Sequence, residues 1–333
     1  MESWNIQSKI RLNTGAEMPV VAYNTELLGA TAFDVMTQTE ILLDAIKAGF
    51  RRFDISEMHH FNIPVSMGNA IRKSGIPREA FFITAQAHIE DLHDFRYYYA
   101  AEELLAKLGF EYLDLFLLTW PHPKVFLDIY EEKRRRALKS GANPEEAVSY
   151  SMWQKKGWVR YQEILADGKA KAIGVCNFEI HHLERILNDS DTKVIPAVNM
   201  NQFHPQYACP ELRRYCEEKG IVFVALNEKD RQLKAVKPAW NEDWSRNYHR
   251  PGLYDRCPCL REVAERHGVC IDHVVARWIL QHGALASVQR LDPQEMEADK
   301  ALFSFALSDE EMERIDLLNI GCRIGYDPDN IDF

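Results

Sequence analysis

The chain has 333 residues, 46% of them hydrophobic, and a formal net charge of −10 at pH 7. That length supports a large core within one domain, and the acidic balance argues against a surface that tracks nucleic-acid phosphates. The basic run Lys133 to Arg136 follows glutamates, as on a solvated helix face, so no nucleic-acid partner is expected.

The amino terminus, MESWNIQSKIRLN, lacks an apolar signal core, and no stretch approaches the ~18 apolar residues of a membrane span. A cytoplasmic protein without membrane association is expected. Along the chain, apolar runs at Phe81 to Ala87, Tyr112 to Leu118, Ala170 to Val175, Ala197 to Phe203 and Ile221 to Leu226 fit buried parallel strands. Between strands lie helical patterns such as AAEELLAKLG, ending at Gly109, and ELRRYCEEKG, ending at Gly220, each closed by glycine as a C-terminal cap. Repeated βα units of this kind form a parallel sheet, wound open or closed as a barrel. The seven cysteines include one close pair, Cys257 and Cys259, without a second pair at zinc-finger spacing, so thiols rather than a metal centre are expected.

Several ordered landmarks choose between the two sheet forms. They are KIRLNTGAEMP from Lys9, AIKAGFRRFD from Ala45 to Asp54, LGFEYLDLFLLTWP from Leu108 to Pro121, GKAKAIGVCNFEIHHLERIL from Gly168, PAVNMNQFHP ending at Pro205, FSFALSDEEMERIDLLN from Phe303 and DPDNIDF from Asp327. Together they resemble the aldo-keto reductase superfamily over nearly the whole chain. The resemblance implies an α/β fold, a (β/α)8 TIM barrel with an N-terminal β-hairpin and elaborated loops at the C-terminal face, spanning 1–333 as a single domain.

In such barrels the chemistry sits on loops at the carboxyl ends of the strands. The resemblance implies a tyrosine acid, a lysine, an aspartate and a histidine there. The aspartate is kept as Asp54, whereas the lysine position holds Gln86 and the histidine position, before Trp120, holds Thr119. The tyrosine falls on His59 or Phe61, depending on the direction of counting. Phenylalanine has no proton to transfer, and losing one catalytic member commonly costs orders of magnitude.

The cofactor positions implied by the resemblance change as well. Cys176 and Asn177 stand where a Ser-Asn pair holds the nicotinamide carboxamide, and Met200 replaces a glutamine. Gln289 and Arg290 replace the lysine and serine that grip the adenosine 2′-phosphate, Glu295 replaces an arginine, and Ala298 and Asp299 stand near the adenine. Asn177, Cys176 and Arg290 are the residual cofactor contacts. The expectation is therefore no cofactor, with NADP binding weakened where it persists.

New residues crowd the mouth. Without the usual lysine, Asp54 needs another donor, and His59 or His88 is available in sequence. Asp54, His59 and His88 are the candidate catalytic residues; Gln86, Thr119, Trp120, His60 and Phe61 are the candidate substrate contacts. A metal site from His59, His60 and His88 lacks a diagnostic spacing, and none is expected. His122 lies on the fourth loop, His204 reads as structural, and Trp153 and Trp158 read as packing aromatics. The segment Lys229 to Cys259 carries Trp240, Trp244, Tyr248 and Tyr254, a candidate surface for a ligand or protein partner.

Three functions follow from these readings. The first is non-redox acid/base conversion of a small molecule by elimination, isomerisation or cyclisation, which would make the chain a lyase, isomerase or cyclase. The second is a catalytically inactive pseudoenzyme serving as a binding or scaffold subunit. The third is an atypical NAD(P)H-dependent oxidoreductase with His59 as acid.

Overall fold

The computed structural model describes residues 4–32, 34–55, 62–87, 97–121, 135–136, 138–141, 150–226, 254, 257–323 and 327–329. Two short antiparallel strands come first, β1 (Lys9–Arg11) and β2 (Glu17–Pro19), paired with Ile10 opposite Met18. Gly15 allows the turn between them, with φ +86°.

The remaining strands are all parallel and alternate with helices. They are β3 (Val21–Asn24), β4 (Arg52–Ile55), β5 (Phe82–Gln86), β6 (Leu115–Leu118), β7 (Ile173–Cys176), β8 (Val198–Gln202), β9 (Val222–Leu226) and β10 (Ala286–Val288). Their order, β10-β3-β4-β5-β6-β7-β8-β9, brings the last strand beside the first. The ring meets at Leu285, whose N–H donates to Phe223 O at 3.0 Å and whose carbonyl accepts from Ala225 N at 2.8 Å. The expected TIM barrel and its hairpin are thus present. On the other edge of β10, Tyr23 Oη of β3 donates to Arg290 O at 2.5 Å.

Between the strands lie α1 (Glu26–Thr31), α2 (Val35–Ala48), α3 (Ile63–Ser74), α4 (Tyr97–Leu108), α5 (Tyr150–Ala166), α6 (Ile180–Leu187), α7 (Pro210–Glu218), α8 (Pro258–His267) and α9 (Ile271–Gln281). After β10 come α10 (Pro293–Ala298) and α11 (Asp309–Asp316). Local chemistry sets their ends. Asp34 caps α2 by accepting from Thr37 N, and Gly49 closes it with φ +109°. Ser308 and Glu311 form a reciprocal capping box on α11. Gly109 and Gly220, expected as helix stops, take φ +70° and +66°.

Strand alternation sorts side chains into two layers. Phe116 faces outward and stacks on Tyr161 of α5 at 4.9 Å, and Trp158 also lies parallel to Tyr161, with ring centroids 6.1 Å apart. Trp158 is buried and donates to Val194 O at 2.8 Å, so it packs onto the barrel as read. Inside, Gly174 is required: a Cβ there would lie 2.7 Å from Val198 O and 2.8 Å from Leu117 Cδ2. Polar side chains line part of the interior at alternate positions, Arg52 at the amino end of β4 and Asp54 near its carboxyl end, with Thr84 and Gln86 on β5.

Candidate functional site at the barrel mouth

Asp54 lies one residue from the end of β4, with 3% of its side chain exposed. A buried carboxylate requires a compensating cation, and the neighbouring inward position supplies one. Arg52 donates from Nε to Oδ1 at 3.1 Å and from Nη2 to Oδ2 at 2.7 Å, the bidentate geometry that guanidinium and carboxylate share. The donor of Asp54 therefore comes from beneath it in the barrel, and no mouth histidine is needed for that role. The sequence signal was the spacing: in a strand, residues two apart share a face.

Gln86 ends β5 and reaches across the barrel, its Nε2 lying 3.8 Å from Met200 Sδ on β8. Two positions expected to differ from the family thus touch each other. Thr119 follows β6, is buried, and donates from Oγ1 to Ala87 O at 2.8 Å, while Trp120 beside it is half-buried. Thr84 Oγ1, on β5, is buried with no hydrogen-bond partner among the described residues.

Cys176 ends β7 and Asn177 follows it. Asn177 is one of two non-glycine residues in the left-handed region among the described residues, with φ +62°. Its Nδ2 donates to Thr119 O at 3.2 Å and to Cys176 Sγ at 3.4 Å. A polar residue held in a strained conformation at a strand's carboxyl end marks a place where geometry serves more than packing.

The loop after β10 carries the phosphate-binding position common in barrels of this kind. Here Gln289 donates to Asn24 Oδ1 at 3.4 Å, and Arg290 turns inward. Arg290 is buried and bound to its own chain, with Nη2 2.9 Å from Asp299 Oδ1 and Nη1 3.1 Å from Asp272 Oδ2. Glu295, on α10, is exposed. Sequence reading placed Arg290 and Asp299 near one another's ligand but missed that they bind each other.

His204 is fully buried beyond the end of β8, where its Nε2 accepts from Gln202 Nε2 at 2.8 Å. Burial, then the charge of Arg323, push its pKa down to about 4, which keeps it neutral and structural. His181, His182 and Asp329 place three potential metal ligands together. However, His182 Nδ1 accepts from Glu179 N at 3.1 Å, so Nε2 carries the proton and faces Asp329 Oδ1 at 3.0 Å. That ring offers no lone pair to an ion. His59, His60, Phe61, His88, His122, Trp240, Trp244 and Tyr248 lie outside the described residues, as does the side chain of Trp153. Tyr254 is described and buried, its ring 6.5 Å from that of His204. Among the described residues, no helix is long and apolar enough to cross a membrane.

Comparison with known proteins corrects the functional expectations. Glyoxal reductase of Bacillus subtilis (strain 168) is 31% identical over 332 residues, 99% of each chain. Glycerol 2-dehydrogenase (NADP(+)) of Saccharomyces cerevisiae is 30% identical over 309 residues, 92% of this chain and 89% of its own. An aldo-keto reductase enzyme from a Medee basin deep-sea metagenome library superposes with a TM-score of 0.74 at 22% identity, covering 97% of this chain and all of its own.

Relatives matched along nearly their full length are thus named for redox activities, one of them with NADP(+) in its name. This overturns the expectation of a non-redox lyase, isomerase or cyclase and the expectation of no cofactor; it lends no support to an inactive scaffold. The physical reason is that hydride chemistry resides in the cofactor, while protein side chains position and supply a proton. Replacing those side chains changes rate and pH dependence before it changes the class of reaction. The family model described as "Aldo/keto reductase family" matches residues 25–320, and this chain belongs to that family.

Proposed function

We propose that this chain is a nicotinamide-nucleotide-dependent oxidoreductase that reduces the carbonyl group of a small molecule, working as one domain over 1–333. The observation that carries this reading is its end-to-end match to reductases and dehydrogenases, together with Asp54 near the carboxyl end of β4 and Asn177 just beyond that of β7.

The strained Asn177, with Cys176 beside it, fits the carboxamide of a nicotinamide ring, offering amide donors and acceptors fixed by the strand end. Arg290 is the described cation at the adenosine end; it would meet a 2′-phosphate by exchanging partners with Asp299. When bound, the dinucleotide supplies hydride to the carbonyl carbon.

The protein must then place the substrate and deliver a proton to the carbonyl oxygen. We assign substrate contact to Gln86, Thr119, Trp120, His60 and Phe61. Gln86 and Thr119 orient the oxygen by hydrogen bonding and carry no ionisable proton, so His59 is the proposed donor, with His88 as the other candidate. Asp54, paired with Arg52, fixes the local field. This makes the chain an atypical member whose turnover follows an imidazole instead of a phenol.

The test is titration of NADPH and of NADH while following intrinsic fluorescence, then dinucleotide oxidation with glyoxal and other small aldehydes. Saturable quenching and aldehyde-dependent oxidation are expected. Absence of saturable quenching with either dinucleotide at millimolar concentration would overturn the reading.

A further inference from the structure

Away from the mouth's centre, the start of α9 carries chemistry that carbonyl reduction does not use. Cys270 occupies the N-cap of this 11-residue helix, and its side chain makes no conventional capping hydrogen bond. The residue is exposed. His273, three positions on and therefore on the same helix face, is buried, and its Nε2 lies 2.9 Å from Asp299 Oδ1.

Asp299 is itself buried, and Arg290 donates to the same oxygen from Nε at 3.2 Å and Nη2 at 2.9 Å. An oxygen that already accepts from the guanidinium also accepts from His273, so Nε2 of that ring carries the hydrogen. The lone pair then rests on Nδ1, which is buried without a conventional hydrogen-bond partner. Asp299 Oδ2 is likewise buried and unmatched. A base oriented by a carboxylate, with its free nitrogen on the side of an accessible thiol, is the arrangement that activates cysteine nucleophiles.

We propose that Cys270 is a nucleophilic thiol that forms mixed disulfides with small neutral disulfides, with His273 as its base and Asp299 as the group that orients the base. The thiol proton passes to His273 Nδ1. The sulfur attacks one sulfur of the disulfide, a new S–S bond forms as the reagent's bond breaks, and the second sulfur leaves as thiolate, taking up a proton from solvent. Cys270 is oxidised as the leaving sulfur is reduced.

The electrostatics of the cluster agree. Partial burial raises the Cys270 pKa, but the hydrogen bond and charge of His273 more than offset it and hold the thiol below its ordinary value. For His273, burial works downward and is outweighed by Asp299 and Cys270, which bring it up to about 9. The other charged groups facing the pair are Asp272 and Arg290, joined at 3.1 Å. By contrast, burial pushes Cys209 and Cys216 up to about 12.

The experiment treats the full-length protein with sub-stoichiometric 4,4′-dithiodipyridine from pH 6 to 8, following thiopyridone release and mapping the modified cysteine by peptide mass. Cys270 is expected to react first, with a rate that rises over that range by clearly less than the roughly 75-fold expected of an ordinary thiol of pKa about 8.5. Cys270→Ser removes the fast phase. His273→Gln, checked for native circular dichroism, slows it and restores the steep profile. First modification at another cysteine, a steep wild-type profile, or a folded His273→Gln variant indistinguishable from wild type would each overturn the assignment. If His273→Gln does not fold, the wild-type profile and Cys270→Ser still decide it.

Discussion

Arg52 and Asp54 stand two residues apart on one strand and meet through both carboxylate oxygens, at 3.1 and 2.7 Å, with the Arg52 side chain wholly buried. Buried pairs gain little over apolar replacements, but breaking one by removing a single partner leaves an uncompensated charge. Arg52→Met should therefore lower unfolding free energy by about 3–5 kcal/mol, whereas Arg52→Met with Asp54→Asn should recover part of that loss. Urea denaturation of the two variants against wild type checks this; equal losses in both would refute it.

His204 predicts how stability responds to acid. Its pKa is about 4 in the fold against 6.5 as the ordinary value, so between these limits the unfolded chain binds more protons and stability falls as pH falls. The penalty from this one residue is absent above pH 6.5 and reaches about 3 kcal/mol near pH 4. The stability difference between wild type and His204→Gln should thus shift by about 2–3 kcal/mol between pH 7 and 4.5, to the variant's advantage. A difference that stays constant with pH would show that His204 does not titrate in this way.

Gly174 sets the tightness of the barrel interior. Adding a methyl group drives it against Val198 O and Leu117 Cδ2, and the carbonyl belongs to a strand that cannot move without its neighbours. Gly174→Ala should cost about 1–3 kcal/mol, read as a lower thermal midpoint. No change in the midpoint would mean that β7 and β8 separate more easily than their packing indicates.

The Arg290 to Asp299 pair bears on cofactor choice. Asp299→Asn removes the charge that holds Arg290, leaving the guanidinium available to a 2′-phosphate by charge-assisted hydrogen bonding. The ratio of NADPH to NADH affinity should rise by about tenfold, some 1.4 kcal/mol. Measuring both dinucleotides on the same preparation by fluorescence quenching cancels any general loss of folded protein. An unchanged ratio would place the phosphate elsewhere.

Much of the architecture was legible in the sequence because strand and helix periods differ and because ordered landmarks reach from Lys9 to Phe333. Strand ends were placed within a few residues: Ala170 to Val175 was expected where Ile173–Cys176 is found. Asp54 and Asn177 were found by position. Arg52 is harder to single out, because it stands within a landmark run, yet its spacing from Asp54 puts both on one strand face. The grouping of Cys270, His273 and Asp299 joins residues up to 29 positions apart, which no local pattern reveals. For function, the frame around the mouth carries more weight than the few side chains that the resemblance implies are exchanged there.

The hydroxyl of Tyr23 reaches Arg290 O across 267 positions of sequence, fastening the first barrel strand to the loop after the last. A chain emerging from the ribosome amino end first must carry β3 with an open edge until β10 has been made. Such distant closure slows folding, and in that interval the exposed edge is a template for wrong pairing. Yield of native protein should consequently depend more on synthesis rate and on chaperones than its final stability would suggest.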